Sequence, residues 1–335
     1  MKVRSVVLAG IGVAGLALYA INVSWLAPVP TEKPQLLAHR GVYQRFNGEG
    51  LGDQGCTAQH IYKPTNDFLE NTIPSMQAAA ADGADTIGVM VHPTSDGQFV
   101  AFHDWTLDCR TDGHGVTRDH TLAELKALDV GYGYTYDKGH TFPFRGRFKG
   151  AMPTLAEAVD AVPNTRFLIV IKSNDASEAD RLDAYLKAHP EIDPKRLSIN
   201  AAGDKPAQRI AQLRPDLGVI SKKSVKACAL GYFALGWSGY MPKSCRHTMM
   251  LLPSNYAWLA WGYPNRLQAR FKAAGSYIYL VGPYRQKGDE VDGINTPDEL
   301  AIIPKHWGMG IWTDAVETIG PLIKGNTNAS KRSSS

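Results

Sequence analysis

The chain has 335 residues, 44% hydrophobic and 20% charged, with a formal net charge of +4. That suits a globular protein with its own core, built as one large α/β barrel or as two smaller domains. The basic residues are scattered, with no run and no interleaved aromatics. A nucleic-acid partner is therefore not expected, while a mild attraction to anionic lipid or phosphate is.

At the N-terminus, Lys2 and Arg4 precede an apolar run over residues 6–27, interrupted only by glycines, Asn22 and Ser24. A helix of that length crosses a bilayer. Positive charge before the span keeps the N-terminus inside and exports the body, and Trp25 suits the far interface. Ala20 and Ala27 lack a small partner two positions earlier, and Pro28 follows at once, so a signal-peptidase site is poor. The expected division is 1–5 as a short basic cytoplasmic end, 6–27 as an uncleaved anchor and 28–34 as a linker. Residues 35–325 then form the exported body, and 326–335, polar throughout, a disordered tail. A cleaved signal is the alternative.

Four cysteines fit an oxidising compartment, and no CxxC or Cys/His spacing suggests zinc. Neighbourhood in sequence favours Cys56 with Cys109 and Cys228 with Cys245; four buried free thiols are the alternative.

From Gln35 onward, short apolar runs alternate with helical patterns. The runs are QLLAH, DTIGVMV, FLIVIK, RLSIN, LGVIS, MMLLP, YIYLV and GIWTD. Most are apolar throughout, as strands buried on both faces are. Eight such strands with intervening helices point to a (β/α)8 TIM barrel. A doubly wound open sheet is the second choice, weakened because no glycine-rich dinucleotide fingerprint follows the first strand. Two long interruptions, 41–69 and 99–150, follow strand ends, where loops of that length are usually functional.

The candidate site residues cluster at strand ends. His39-Arg40-Gly41 closes the first strand, and the planar fork of Arg40 suits phosphate oxygens. Glu70-Asn71-Thr72 opens the first long helix, with Asn71 as a plain N-cap and Glu70 either structural or functional. FVAFHD ends in His103-Asp104. Two histidines at two strand ends supply the acid and the base that phosphodiester cleavage needs. Trp312 ends the last strand and either lines a glycerol or headgroup pocket or packs in the core. Tyr132, Tyr134, Tyr136, Phe142, Phe144, Arg145 and Arg147 form either a lid or a packed loop.

HRG, then ENT before a helix, then DG…HD, then a strand ending in Lys172, resembles the glycerophosphodiester phosphodiesterase family over roughly residues 36–314. The resemblance implies a TIM barrel that hydrolyses glycerophosphodiesters to glycerol 3-phosphate and an alcohol. It implies His39 and His103 as the acid/base pair, with Arg40 and Lys172 on the phosphate and a divalent cation, Ca²⁺ or Mg²⁺, as cofactor. The long insertion before ENT and the WTLDCRTDG after His103 resemble a membrane-anchored bacterial branch. Such a protein would sit at the inner membrane with its barrel on the periplasmic side.

The sequence departs from that pattern at the metal. The family has Glu-x-Asp on the second strand, where this chain has Gly88 and Met90. An acidic or amide residue precedes the third strand's Lys by two, where this chain has Val170. Strand alternation puts Gly88 and Met90 on one face, and Val170 shares a face with Lys172, so all three line the barrel interior. Hard cations need oxygen ligands, which glycine, thioether and aliphatic side chains do not offer. Among nearby acids, Glu70, Asp85, Asp104 and Asp108, Glu70 is the best placed, yet together they do not rebuild a site. The expectation is a phosphodiesterase scaffold with its metal site lost and its hydrolysis abolished or strongly impaired. The alternatives are a non-catalytic module that binds glycerophosphodiesters or phospholipid headgroups, and another phosphodiesterase of phospholipase C or D type. Oligomeric state and the alcohol are left open.

Overall fold

Strands apolar on both faces can all be covered when a parallel sheet curls on itself with helices outside. The computed structural model, which describes residues 2–52, 55–284 and 292–325, has that arrangement. Its strands are β1 (Gln35–His39), β2 (Thr86–Pro93), β3 (Phe99–Ala101), β4 (Arg166–Ile171), β5 (Leu197–Ala201), β6 (Gly218–Ser221), β7 (Met249–Pro253), β8 (Tyr277–Val281) and β9 (Gly310–Thr313). All except β3 are the eight runs read from sequence. β3 is a short antiparallel addition to β2. The parallel strands run β6-β5-β4-β2-β1-β9-β8-β7, which is chain order around a ring. A doubly wound sheet would reverse its order at a switch point, and this one does not.

The ring has one seam. Among the described residues β6 and β7 share no ladder. A cavity of about 1160 Å³ opens there at the strands' N-terminal ends, lined by Gly218, Ile220, Met249 and the linker residues Pro28 to Lys33. The barrel is thus nearly, not fully, closed.

The helices are α1 (Lys2–Asn22), α2 (Ile73–Ala81), α3 (Leu122–Lys126), α4 (Leu155–Ala161), α5 (Ser177–Ala188), α6 (Asp204–Leu213), α7 (Lys222–Leu235), α8 (Asn265–Ala273), α9 (Pro297–Ala301) and α10 (Val316–Lys324). Capping boxes at Thr121, Thr154, Ser221 and Thr296 start four of them. Strand alternation then divides the apolar residues. Leu36, Ala38, Ile87, Val89, Ile169 and Ile171 face outward into the main core with the helices. Leu37, Leu168, Tyr279, Val281 and Trp312 face inward and plug the lumen. The site residues at the strands' C-terminal ends stand above this plug.

Both expected disulfides are formed, Cys56–Cys109 and Cys228–Cys245. Within the expected anchor, α1 ends at Asn22, followed by a 3₁₀ turn at Ser24–Leu26. Among the described residues no helix is long and apolar enough to cross a membrane. The side chains of residues 1–6, 8 and 9, and the whole of the expected tail 326–335, lie outside the described residues.

Candidate active site

After β1 the backbone reverses through two left-handed residues, Arg40 at φ 67° and Gly41 at φ 82°. Only glycine suits the second position, because a Cβ there would also run into Ser75 of α2. The reversal buries Arg40, with its Nη1 3.6 Å from Glu70 Oε1. Its backbone is tied on both sides: Arg40 N donates to Gly88 O at 3.0 Å, and Asn71 N donates to Arg40 O at 3.2 Å.

Asn71 is not the helix cap expected of it. The cap position of α2 is Thr72, whose hydroxyl instead donates back to Leu69 O at 2.7 Å. Asn71 takes a left-handed turn at φ 58°, which Asn tolerates better than most residues. Its Oδ1 accepts the Met90 N–H at 3.2 Å, locking the ENT turn to β2.

Each histidine is oriented by a carboxylate. His39 Nδ1 lies 2.9 Å from Asp314 Oδ1, and His103 Nδ1 lies 2.6 Å from Asp104 Oδ1. Ionised carboxylates only accept, so both rings carry a proton on Nδ1 and turn Nε2 away from the carboxylate. His103 Nε2 accepts from Lys172 Nζ at 3.2 Å. Burial, aided by the cations of Arg40 and Lys172, holds the His103 pKa well below the usual histidine range despite Asp104. Burial opposes ionisation of Asp104, yet Arg110 and His103 keep it well below the usual carboxylate range. Asp314 is likewise buried and likewise held low, by His39 and the Gly293 N–H, which donates at 2.6 Å. Tyr43 and Asn295 also donate to Asp314.

Arg110, buried and absent from the sequence-derived site, is the hub. It donates to Asp104 Oδ2 at 2.8 Å, Tyr134 Oη at 2.5 Å and Thr57 Oγ1 at 2.6 Å, and it lies 3.3 Å from Glu70 Oε2. Glu70 therefore spans Arg40 and Arg110. Thr57 and Arg110 adjoin the bonded Cys56 and Cys109, so the disulfide clamps the two long loops together beside the site. Part of the aromatic segment packs: Tyr134 and Phe144 are buried with Ala58, Ile61 and Leu69, while Tyr132 and Tyr136 are exposed. Arg145 stacks 4.0 Å over Tyr132 and 3.6 Å over Phe142.

Trp312 forms the floor, its ring 5.0 Å from that of His39. Its Nε1, with Asn71 Nδ2 and His92 Nε2, is buried without a hydrogen-bond partner among the described residues. All the sequence-derived site residues, His39, Arg40, Glu70, His103, Lys172 and Trp312, thus gather at the C-terminal end of the barrel. Asp104, Asp314 and Arg110 complete the set. The first two directly follow a site histidine and the last strand; Arg110 carried no signal beyond its neighbour Cys109.

The sequence pattern of the Glycerophosphoryl diester phosphodiesterase family matches residues 39–217, more than half of the chain. The chain belongs to the glycerophosphoryl diester phosphodiesterase family. A glycerophosphodiester phosphodiesterase of Bacillus subtilis is 29% identical over 168 residues, covering 48% of this chain and 57% of that protein. The chain thus spans under two thirds of that relative's length. The glycerophosphoryl diester phosphodiesterase domain of a Mycobacterium tuberculosis protein superposes with a TM-score of 0.60 at 18% identity, over 85% of this chain and 97% of that one. A phosphodiesterase of Oleispira antarctica, solved with the product sn-glycerol-3-phosphate, gives 0.51 at 20% identity, over 84% and 93%.

The family resemblance implies a divalent cation, and the donor set here does not fit one. Gly88 pairs in register with His39 and Leu168, and Met90 with Val170, so the positions expected to hold oxygen ligands carry none. The neighbouring carboxylates are engaged: Glu70 with two arginines, Asp104 with His103 and Arg110, Asp314 with His39. Among the described residues no group of three or more His, Cys, Asp or Glu side chains is placed to hold a metal.

Proposed function

We propose that this chain keeps the glycerophosphodiester site of its family and turns such substrates over feebly or not at all. The observation that carries this reading is the apolar set Gly88, Met90 and Val170 beside two well-oriented histidines. In this reading Arg40 and Lys172 hold the phosphoryl charge, and Trp312 bears on the glycerol side. His39 and His103 move protons through Nε2. The product complex of the Oleispira enzyme, a protein of the same fold, supports glycerol 3-phosphate as the recognised half. Missing Lewis-acid stabilisation is worth several kcal/mol. At 1.36 kcal/mol per decade that is a loss of roughly 10³-fold or more.

A second reading keeps the binding and drops the chemistry: a headgroup-capturing module. The same cations favour it, since anion recognition needs neither a metal nor turnover. We also infer that α1 tethers the barrel to a membrane, with the barrel exported. Val7, Ile11, Val13, Leu16, Leu18, Tyr19 and Ile21 are all exposed and together cover the whole circumference of the helix, which a one-sided packing helix does not do. Two disulfides agree with export.

The test is hydrolysis of glycerophosphocholine with and without Ca²⁺, beside a calorimetric titration with Ca²⁺ alone. Tight Ca²⁺ binding, or turnover that Ca²⁺ supports and EDTA removes, sinks the proposal. Binding of glycerophosphocholine without turnover selects the module.

A further inference from the structure

Four of the chain's seven tryptophans are exposed, Trp25, Trp237, Trp258 and Trp261, with Trp258 70% exposed. Indoles in water leave a large apolar surface uncovered. These four gather where α1 meets the barrel. Asn22 Nδ2 donates to Trp237 O at 2.5 Å, Arg270 to Ile21 O at 2.8 Å, and the Asn265 N–H to Ser24 Oγ at 2.8 Å. Trp261 is fastened to the same region, its Nε1 donating to Phe233 O at 2.8 Å, with Trp258 on the adjoining turn Ala257–Leu259. Tyr240, Leu230, Leu235 and Leu259 nearby are exposed too.

Charge marks the same segment. Residues 217–284 contain eight lysines and arginines and no Asp or Glu, although the whole chain is only +4, so the remainder is net acidic. Lys222, Lys223 and Lys226, at the start of α7, are exposed. Across the entire chain the basic residues look scattered; within this segment no Asp or Glu lies among them, although Asp204 and Glu32 from outside it pair with Lys223 and Lys272, and aromatics are interleaved.

We propose that the side of the barrel formed by α7 and the stretch leading to α8, residues 222–261, is a bilayer-facing surface that rests on anionic phospholipid headgroups. The proposal rests on the membrane reading of α1. Tryptophan and tyrosine favour the membrane–water interface, and lysines beside it are drawn to anionic lipid. An apolar helix rooted in this face brings the bilayer to it, which favours lipid over nucleic acid as the occupant. The surface also reaches the catalytic mouth: Lys222 and Lys223 share a surface pocket of about 560 Å³ with Lys172. A phosphodiester headgroup still in the membrane would arrive there along a cationic path.

The experiment uses the full chain reconstituted into nanodiscs, of phosphatidylcholine alone or mixed with phosphatidylglycerol. Lipids brominated on the acyl chains quench tryptophans that sit at the bilayer. The expected result is quenching that strengthens with phosphatidylglycerol and falls to the share of Trp25 in the W237F/W258F/W261F chain. In a K222Q/K223Q/K226Q chain the dependence on phosphatidylglycerol should vanish while insertion persists. If the chain does not enter the discs, the anchor reading fails and this surface falls with it. If it enters and the triple Phe chain is quenched as strongly as the wild type, the surface proposal alone is overturned. Tighter binding of a labelled oligonucleotide than of anionic discs overturns it as well.

Discussion

Putting the three acids back, as G88E/M90D/V170E, isolates what their absence does. The backbone accepts them. A Cβ on Gly88 meets Ala38 O, His39 Cα and His39 Cδ2 at 3.7 Å, ordinary van der Waals contact. Met90 and Val170 are register partners on adjacent strands, so their new carboxylates would face each other. At a spacing of about 5 Å and an effective dielectric of about 20, that repulsion costs roughly 3 kcal/mol. The variant should therefore melt below the wild type in EDTA. Ca²⁺ at about 100 times its Kd returns about 2.7 kcal/mol, so the midpoint should recover in Ca²⁺, whereas the wild type should not respond. Turnover of glycerophosphocholine by the variant in Ca²⁺ should exceed that of the wild type by about 10³-fold. Calorimetric melting and a glycerol 3-phosphate assay read both effects. Equal Ca²⁺ stabilisation of the wild type, or equal EDTA-sensitive turnover, would refute the reasoning.

Two further outcomes follow from the buried network. Arg110→Met strands the buried carboxylates of Glu70 and Asp104 and should cost about 3–5 kcal/mol in urea unfolding. Arg147→Ala, which removes the exposed pair with Asp67, a bond to Pro143 O and cation–π contacts with Phe144 and Phe148, should cost no more than about 2 kcal/mol. Acid sensitivity should come first from histidine. Burial lowers the pKa of His92 from 6.5 to about 4, with Lys172 adding to it, and His103 is shifted the same way. The unfolded chain thus takes up protons that the folded one refuses. This contribution to stability is complete above pH 6.5 and is lost as the pH falls toward 4, about 3 kcal/mol for His92 alone. In H92Q, stability against pH over that window should be flatter by that amount; an unchanged slope would exclude His92 as its source.

The eight barrel strands were legible because each is apolar on both faces and is set off by helical periodicity. The inward placement of Gly88, Met90 and Val170 followed from alternation alone, anchored on Lys172. The seam between β6 and β7 was not legible: nothing in GVIS or MMLLP says that two neighbouring runs will fail to pair. Asn71 misled because an ENT turn before a helix has the same local grammar as an N-cap, and only the long-range contact with Met90 N decides its role. Arg110 was hidden for the same reason, since its partners Thr57, Glu70, Asp104 and Tyr134 come from three separate stretches of chain. The disulfides were easier, because neighbourhood in sequence was also neighbourhood in the fold.

A working metal site breaks the rules of the element that carries it, because it places like charges on facing strands and relies on an ion to reconcile them. In this chain β2 and β4 break no such rule. Leu168 beside Gly88, and Val170 beside Met90, extend the apolar lumen up to the level of His92 and Lys172. Although Gly88 is a poor strand residue, alternation and packing agree there, as they do in segments that answer only to folding. The charges that remain are paired, as Asp104 with Arg110 and Glu70 with Arg40, and Lys172 stands against His103. The barrel should therefore reach its full stability without an ion.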